Sequence, residues 1–202
     1  MGMELDLAQG RRDDEALRVP PGQRLTAGFP VLHYGEVPYY RDMSKWDLRI
    51  FGLVDEAAVI PYSDFMKLPM KEFGNDIHCV TTWSKLDNVW EGVPVAAVME
   101  KVKLRPEAKF VMLHAEHGWS TNLPLEDFMR DTSFLAIRHN GELLTPDHGY
   151  PVRMVVPHLY FWKSAKWLRG IEFMAEDKPG FWERNGYHMY GDPWKEQRYD
   201  FE

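Results

Sequence analysis

The sequence predicts a mixed α+β domain, and three observations lead there. Short β-rich apolar runs recur along the chain, at 46–52, 76–82, 109–114, 134–138, 152–156 and 167–174. The helical segments between them are few and brief, at 63–68, 94–102 and 124–129. There is no internal repeat, and no Gly-rich strand-to-helix turn that would cradle a nucleotide phosphate. A chain of 202 residues fits one domain with tails. The expected division is a polar N-terminal arm over 1–25, a single domain over 26–175, and an aromatic-rich tail over 176–202 packed on that domain.

In chain order, the arm carries the charged run from Arg11 to Glu15 and then Val19-Pro20-Pro21-Gly22, which read as extended or disordered chain. Residues 46–52 alternate large apolar and polar side chains, a strand pattern closed by Gly52. Ser63 stands before Phe65, Met66 and Leu68 as an N-cap for a short helix stopped by Pro69. Residues 76–82 read as a strand carrying His78 and Cys79, and Trp90 to Val93 as a short connection. Pro94 opens a helix through Val102, since proline is permitted in the first turn. Asn140-Gly141, between 134–138 and 142–144, is a two-residue hairpin signal.

Hydrophobic residues make up 45% and charged residues 27%, a globular balance. The net charge of −7 and the lack of a Lys/Arg cluster argue against a nucleic-acid partner, which requires a basic face to displace counterions from phosphates. No window approaches the roughly 20 apolar residues of a membrane span. The first 18 residues lack the apolar core of a secretory signal, and one cysteine forms no intrachain disulfide, so a cytoplasmic protein is expected. The abundant rings (Trp 8, Tyr 9, Phe 11) are expected in the core or in pocket walls.

Two segments carry candidate chemistry. In His78-Cys79-Val80-Thr81-Thr82-Trp83-Ser84 the chain's single cysteine stands at a strand end, where a thiolate suits a soft or high-valent metal. With no second cysteine and no CxxC or HxxxH spacing, a structural zinc site is not indicated. Adjacent strand residues point to opposite faces, so His78 is not the obvious base for a Cys79 nucleophile. A buried structural thiol and a Cys-dependent hydrolase stay open on these residues alone. The second segment, Asp147-His148-Gly149-Tyr150-Pro151-Val152-Arg153, enters an apolar strand. An arginine there calls for an anion, either an internal carboxylate or a bound phosphate. Ser164-Ala165-Lys166 adds a hydroxyl, a small residue and a second positive charge. His114 and His117 are spaced by three, but a strand-to-loop segment does not bring them to one face and no third ligand is evident.

The second segment, with Val155-Val156-Pro157 and Ser164-Ala165-Lys166-Trp167-Leu168, resembles the molybdopterin-binding domain of the sulfite oxidase family. The Cys79 segment is similar to the bacterial branch that includes the methionine sulfoxide reductase catalytic subunit. Val31-Leu32-His33-Tyr34-Gly35 precedes both in matching order, and the resemblance covers roughly residues 29 to 175. It implies a single-domain sulfite-oxidase-type fold and a molybdenum–molybdopterin (pyranopterin) cofactor, with Cys79 as the protein thiolate on the metal. It further implies that His33, Tyr34, Ala115, His148, Arg153, Ser164, Ala165 and Lys166 contact the cofactor. The activity implied is two-electron oxygen-atom transfer on a small-molecule sulfur-oxo or related substrate. An external electron carrier, such as a cytochrome or quinone-linked subunit, is implied as partner. A non-catalytic module that binds or carries the cofactor is the alternative. Two departures touch the substrate: Ser84 and Leu32 stand where sulfite oxidases place arginines, and Lys85, one position on, is the nearest substitute.

Overall fold

The computed structural model describes residues 14–201. Residues 1–13 of the expected arm, including the start of its charged run, lie outside the described residues. Among the described residues eleven strands form two sheets. The first sheet contains β1 (Arg24–Leu25), β4 (Lys71–His78), β5 (Trp83–Pro94), β8 (Phe134–His139), β9 (Glu142–Leu143) and β10 (Arg153–Val155). Its spine runs β1-β5-β8-β10, with β4 also on β5 and β9 on β8. The second sheet is ordered β3-β2-β11-β6-β7, from β3 (Ala58–Pro61), β2 (Asp47–Gly52), β11 (Leu168–Met174), β6 (Phe110–Ala115) and β7 (Ser120–Pro124). Among the described residues the α-helical elements include short turns at Tyr62–Phe65, Val95–Met99, Leu125–Phe128 and Phe181–Arg184, and residues 14–17 are also helical. The mixed α+β expectation is borne out.

The main core unites Leu48, Ile50, Leu113 and Ile171 of the second sheet with Leu135, Ile137 and Met154 of the first. The other face of the first sheet is buried as well, around Ile77, Trp90, Phe134, Ala136, Val155 and Phe161. Burial on both faces explains why 134–137 and 154–156 read as unbroken apolar runs rather than alternating ones. Period two still sorts their side chains. Met154 joins the main core, while Val155, and with it Arg153 two residues earlier, faces the Phe161 and Trp90 side.

Several local expectations need correction. The helix at 62–65 starts one residue before Ser63, with Pro61 at the cap position and no side-chain cap. The helix after Pro94 ends at Met99. Trp90 to Val93, expected as a short connection, instead belong to the longest strand, β5, over residues 83–94. Its pattern is interrupted at Asp87, which has a positive φ of 55°, opposite a register shift between Asn75 and Ile77. A bulge of this kind turns successive side chains out of strict alternation and hides the strand from a periodicity reading. Within the expected arm, β1 pairs parallel with β5, and Arg18 donates to both carboxylate oxygens of Asp76 at 2.9 and 2.7 Å. No helix of the described residues is long and apolar enough to cross a membrane.

Candidate active site

Strand β4 ends at His78, so Cys79 lies just beyond it, in the turn of residues 79–82 that leads into β5. The turn is closed by Cys79 N donating to Trp83 O (2.9 Å) and Thr82 N donating to Cys79 O (3.0 Å), with Thr82 at a φ of 71°. The N-terminal segment adds two more bonds. Gln23 Nε2 donates to the Cys79 carbonyl at 3.1 Å, and Arg24 N to the Thr82 carbonyl at 2.9 Å. The thiol is 8% exposed, with the Thr81 hydroxyl 3.1 Å from its Sγ. Burial pushes its pKa up, and the Thr81 hydroxyl pulls against that shift. His78 bonds through Nδ1 to Ser84 Oγ at 2.8 Å. Neither His78 nor Ser84 reaches the cavity wall described next.

Every residue singled out from the sequence for the site, namely Cys79, His33, Tyr34, Ala115, His148, Arg153, Ser164, Ala165 and Lys166, lines one cavity of about 270 Å³. The turn after β4, the end of β6, the start of β10 and the loop before β11 contribute them, together with the irregular segment after Phe29. Tyr34 is 66% exposed, while Arg153 is 2% exposed.

The Arg153 end is cationic, and neither of its two cations makes an ion pair among the described residues; the half-exposed Asp147 carboxylate acts on Lys166 only through its field. Arg153 donates Nη1 to the His148 carbonyl and Nη2 to the Ser164 carbonyl, each at 2.9 Å. Its Nε, also buried, has no partner among the described residues. Phe161 lies 4.2 Å from the guanidinium carbon. Lys166 Nζ likewise donates to backbone only, to Leu32 O at 2.8 Å and Asp147 O at 2.7 Å. Burial pushes Arg153 down to about 9 and Lys166 down to about 7, with Arg153's own charge lowering Lys166 further. His148 stacks on Phe29 at 4.0 Å, and its Nε2 lies 3.1 Å from the Phe29 carbonyl. A carbonyl only accepts, so Nε2 carries the proton and Nδ1 of the neutral ring accepts from the Thr145 hydroxyl at 2.9 Å. Gly149, at a φ of 108°, brings the two segments together; a Cβ there would lie 3.0 Å from Arg153 Cβ and 3.2 Å from Lys166 Cα.

The thiol end differs in character. Trp83, Trp119, Thr121, Trp162, Trp182 and Tyr187 join Cys79 on the wall. None of these was assigned to the site from sequence; the aromatic abundance was the available signal, and packing accounts for it equally well. Trp182 and Tyr187 belong to the C-terminal tail, which is docked by a buried Lys163–Glu183 ion pair at 2.7 Å. Leu32 lines the cavity, but Lys85 is buried elsewhere and does not substitute for the absent arginines. His114 pairs with Glu172 at 2.8 Å, and neither it nor His117 lines the cavity.

Among the described residues no group of three or more His, Cys, Asp or Glu side chains is arranged to hold a metal ion. A metal held by a single thiolate therefore needs further donors from a bound molecule. An enclosed arginine with an unused N–H, beside a lysine bonded only to carbonyls, fits the phosphate of such a molecule. The donor set fits a pterin cofactor that brings its own sulfur ligands.

The model of a family described as oxidoreductase molybdopterin binding domain matches residues 34–182. The chain belongs to this family. The match supplies the sulfite-oxidase type of fold and the molybdenum–molybdopterin cofactor anticipated from the motifs, and makes the chain a molybdopterin-dependent oxidoreductase. This oxidoreductase is 59% identical over 192 residues to the uncharacterized oxidoreductase YuiH of Bacillus subtilis (strain 168), covering 95% of this chain and 97% of that one. It is 28% identical over 164 residues to the protein-methionine-sulfoxide reductase catalytic subunit MsrP of Campylobacter jejuni, covering 73% of this chain and 55% of the relative. Its fold resembles that of the sulfane dehydrogenase SoxCD from Paracoccus pantotrophus, with a TM-score of 0.64 at 22% identity over 73% of this chain and 42% of that one. The chain thus spans nearly all of the Bacillus relative but little more than half of the Campylobacter one.

Proposed function

We propose that the chain transfers an oxygen atom to or from a small sulfur-oxo substrate, with Cys79 as the protein ligand of molybdenum. The observation that carries this reading is the single cavity with an unpaired cationic end and a buried thiol end. When bound, the cofactor supplies the two-electron redox chemistry. The chain's own residues then divide the work. Arg153 and Lys166 hold the terminal phosphate, with Ser164 and Ala165 beside them. His148, its two ring nitrogens held by the Phe29 carbonyl and the Thr145 hydroxyl, lines the pterin side of the wall with His33, Tyr34 and Ala115.

The thiol end favours an uncharged substrate. No arginine or lysine lines the cavity near Cys79, so nothing there offers the bidentate bonds that a sulfite dianion wants. Aromatic walls suit a thioether or sulfoxide, since sulfur packs favourably against rings. Reducing a sulfoxide consumes two electrons and two protons and yields a thioether and water, and the electrons require an external carrier such as a cytochrome or quinone-linked subunit. A cytoplasmic location belongs to the same proposal, and fractionation of the native host tests it.

The decisive experiment is metal analysis and a substrate screen on protein made in a host competent for cofactor synthesis. Wild-type protein is expected to carry molybdenum in near-equal proportion to chains and to reduce a sulfoxide. Cys79→Ala and Cys79→Ser are expected to lose the metal and the activity together. Folded wild-type protein without molybdenum would sink the ligand assignment. Bound pterin with no redox turnover on any oxo substrate would favour a carrier module instead.

A further inference from the structure

We propose that Arg198, in the C-terminal tail, is a positioning residue for the metal-binding turn: it fixes the Val80 carbonyl beside Cys79 and supplies the positive charge that the turn lacks. The inference rests on Cys79 being the metal ligand. None of residues 79–82 is charged, and the cations on the cavity wall, Arg153 and Lys166, belong to the phosphate end. Arg198 reaches the turn from the other side. It is 8% exposed and donates Nη1 to Val80 O at 3.2 Å, across 118 residues of sequence. Nη2 donates to Pro21 O at 3.2 Å, and the guanidinium carbon lies 5.1 Å from the Tyr160 ring centre. Tyr160 is itself fully buried and packed in one cluster with Cys79 and Val80. Glu196, at 3.5 Å, is half-exposed, so solvent screens its opposing charge.

The N-terminal segment is shaped around this guanidinium. Gly22 has a φ of 69°, and a Cβ there would lie 2.8 Å from Arg198 Nη2 and 2.6 Å from Glu196 Oε1. Pro21, Gly22 and Arg198 all lie outside the matched span of 34–182, yet they converge on the turn that carries Cys79. A charge bonded to the turn that carries a metal ligand would shift the equilibrium between oxidised and reduced metal, because reduction adds negative charge that a fixed cation stabilises.

The test is a reductive titration of the loaded protein followed by electron paramagnetic resonance of the molybdenum, with metal content and thermal melting measured alongside. Arg198→Met is expected to make the metal harder to reduce, by about tenfold in the one-electron equilibrium constant, which is about 59 mV. Its resonance signal is expected to change shape as the thiolate reorients. Arg198→Lys, which keeps the charge, is expected to recover most of the potential. If Arg198→Met does not fold, Gly22→Ala crowds the guanidinium and should shift the potential in the same direction. Wild-type potential and signal in the variants that load, with only the melting temperature lowered, would overturn the proposal. Folded wild-type protein without molybdenum would fail the ligand assignment instead, so the two failures are distinguishable.

Discussion

Two buried cations in this domain keep very different company. Lys163, with no exposed surface, donates to Glu183 at 2.7 Å, to Asn122 Oδ1 at 2.7 Å and to two backbone carbonyls. Glu183 Oε1 is held in turn by Thr121 Oγ1 at 2.8 Å and Trp162 Nε1 at 2.9 Å. Arg153, also buried, has carbonyls and rings around it and donates to no carboxylate. Burying a charge is costly unless it is neutralised, and breaking a neutralised pair leaves the full cost exposed. Lys163 is therefore compensated within the chain and serves the architecture. Arg153 lies on a cavity wall, and in the proposed function it is compensated when the cofactor's phosphate arrives.

The largest effect that tests this contrast is expected at Glu183. Glu183→Gln leaves Lys163 without its ion-pair partner and should cost about 3–5 kcal/mol in urea denaturation of the cofactor-free protein. Arg153→Met should behave oppositely. It removes an uncompensated charge, so the cofactor-free protein should keep its stability or gain some. Cofactor retention, measured by dilution and metal analysis, should fall by about 30-fold or more, equivalent to about 2 kcal/mol. A stability loss at Arg153 matching that at Glu183 would erase the distinction.

A smaller effect is expected from pH. The folded-state pKa values of Lys166, about 7, and Arg153, about 9, lie below their ordinary values of 10.5 and 12.5. Between about 7 and 10.5 the unfolded chain holds a proton that folded Lys166 has shed, so cofactor-free stability should rise with pH across that window. Bound phosphate favours the charged forms and should flatten the slope, as should Lys166→Met. Denaturation curves at several alkaline pH values check this, and a flat cofactor-free profile would break it. The smallest effect is expected at Tyr187, a ring of the thiol-end wall. Tyr187→Ala should change KM for bulky sulfoxides several-fold while leaving metal content intact, since the phosphate end is untouched. Loss of the cofactor in this variant would contradict the division into two ends.

Much of the cationic end was legible in the sequence. The segment from Asp147 to Arg153 and the Ser164-Ala165-Lys166 run are local, and period-two alternation puts Arg153 on the face shared with Val155. The hairpin at Asn140-Gly141 was equally legible, because a two-residue turn is a local signal. The thiol end was legible only at Cys79. Its walls come from segments far apart in sequence, and the strand that follows Cys79 was hidden by the irregularity at Asp87.

The sequence by itself determined the mixed α+β class, the family and the residue types that gather around the cavity. Those rest on local spacing and on runs short enough to carry their own geometry. Only the tertiary structure decided which buried cation is compensated and which is not. It also decided that both terminal segments return to the turn carrying Cys79. Burial is set by everything that packs around a group, and a counter-charge acts through space. Glu183 beside Lys163, and Arg198 beside Val80 across 118 residues, are contacts that no local propensity encodes.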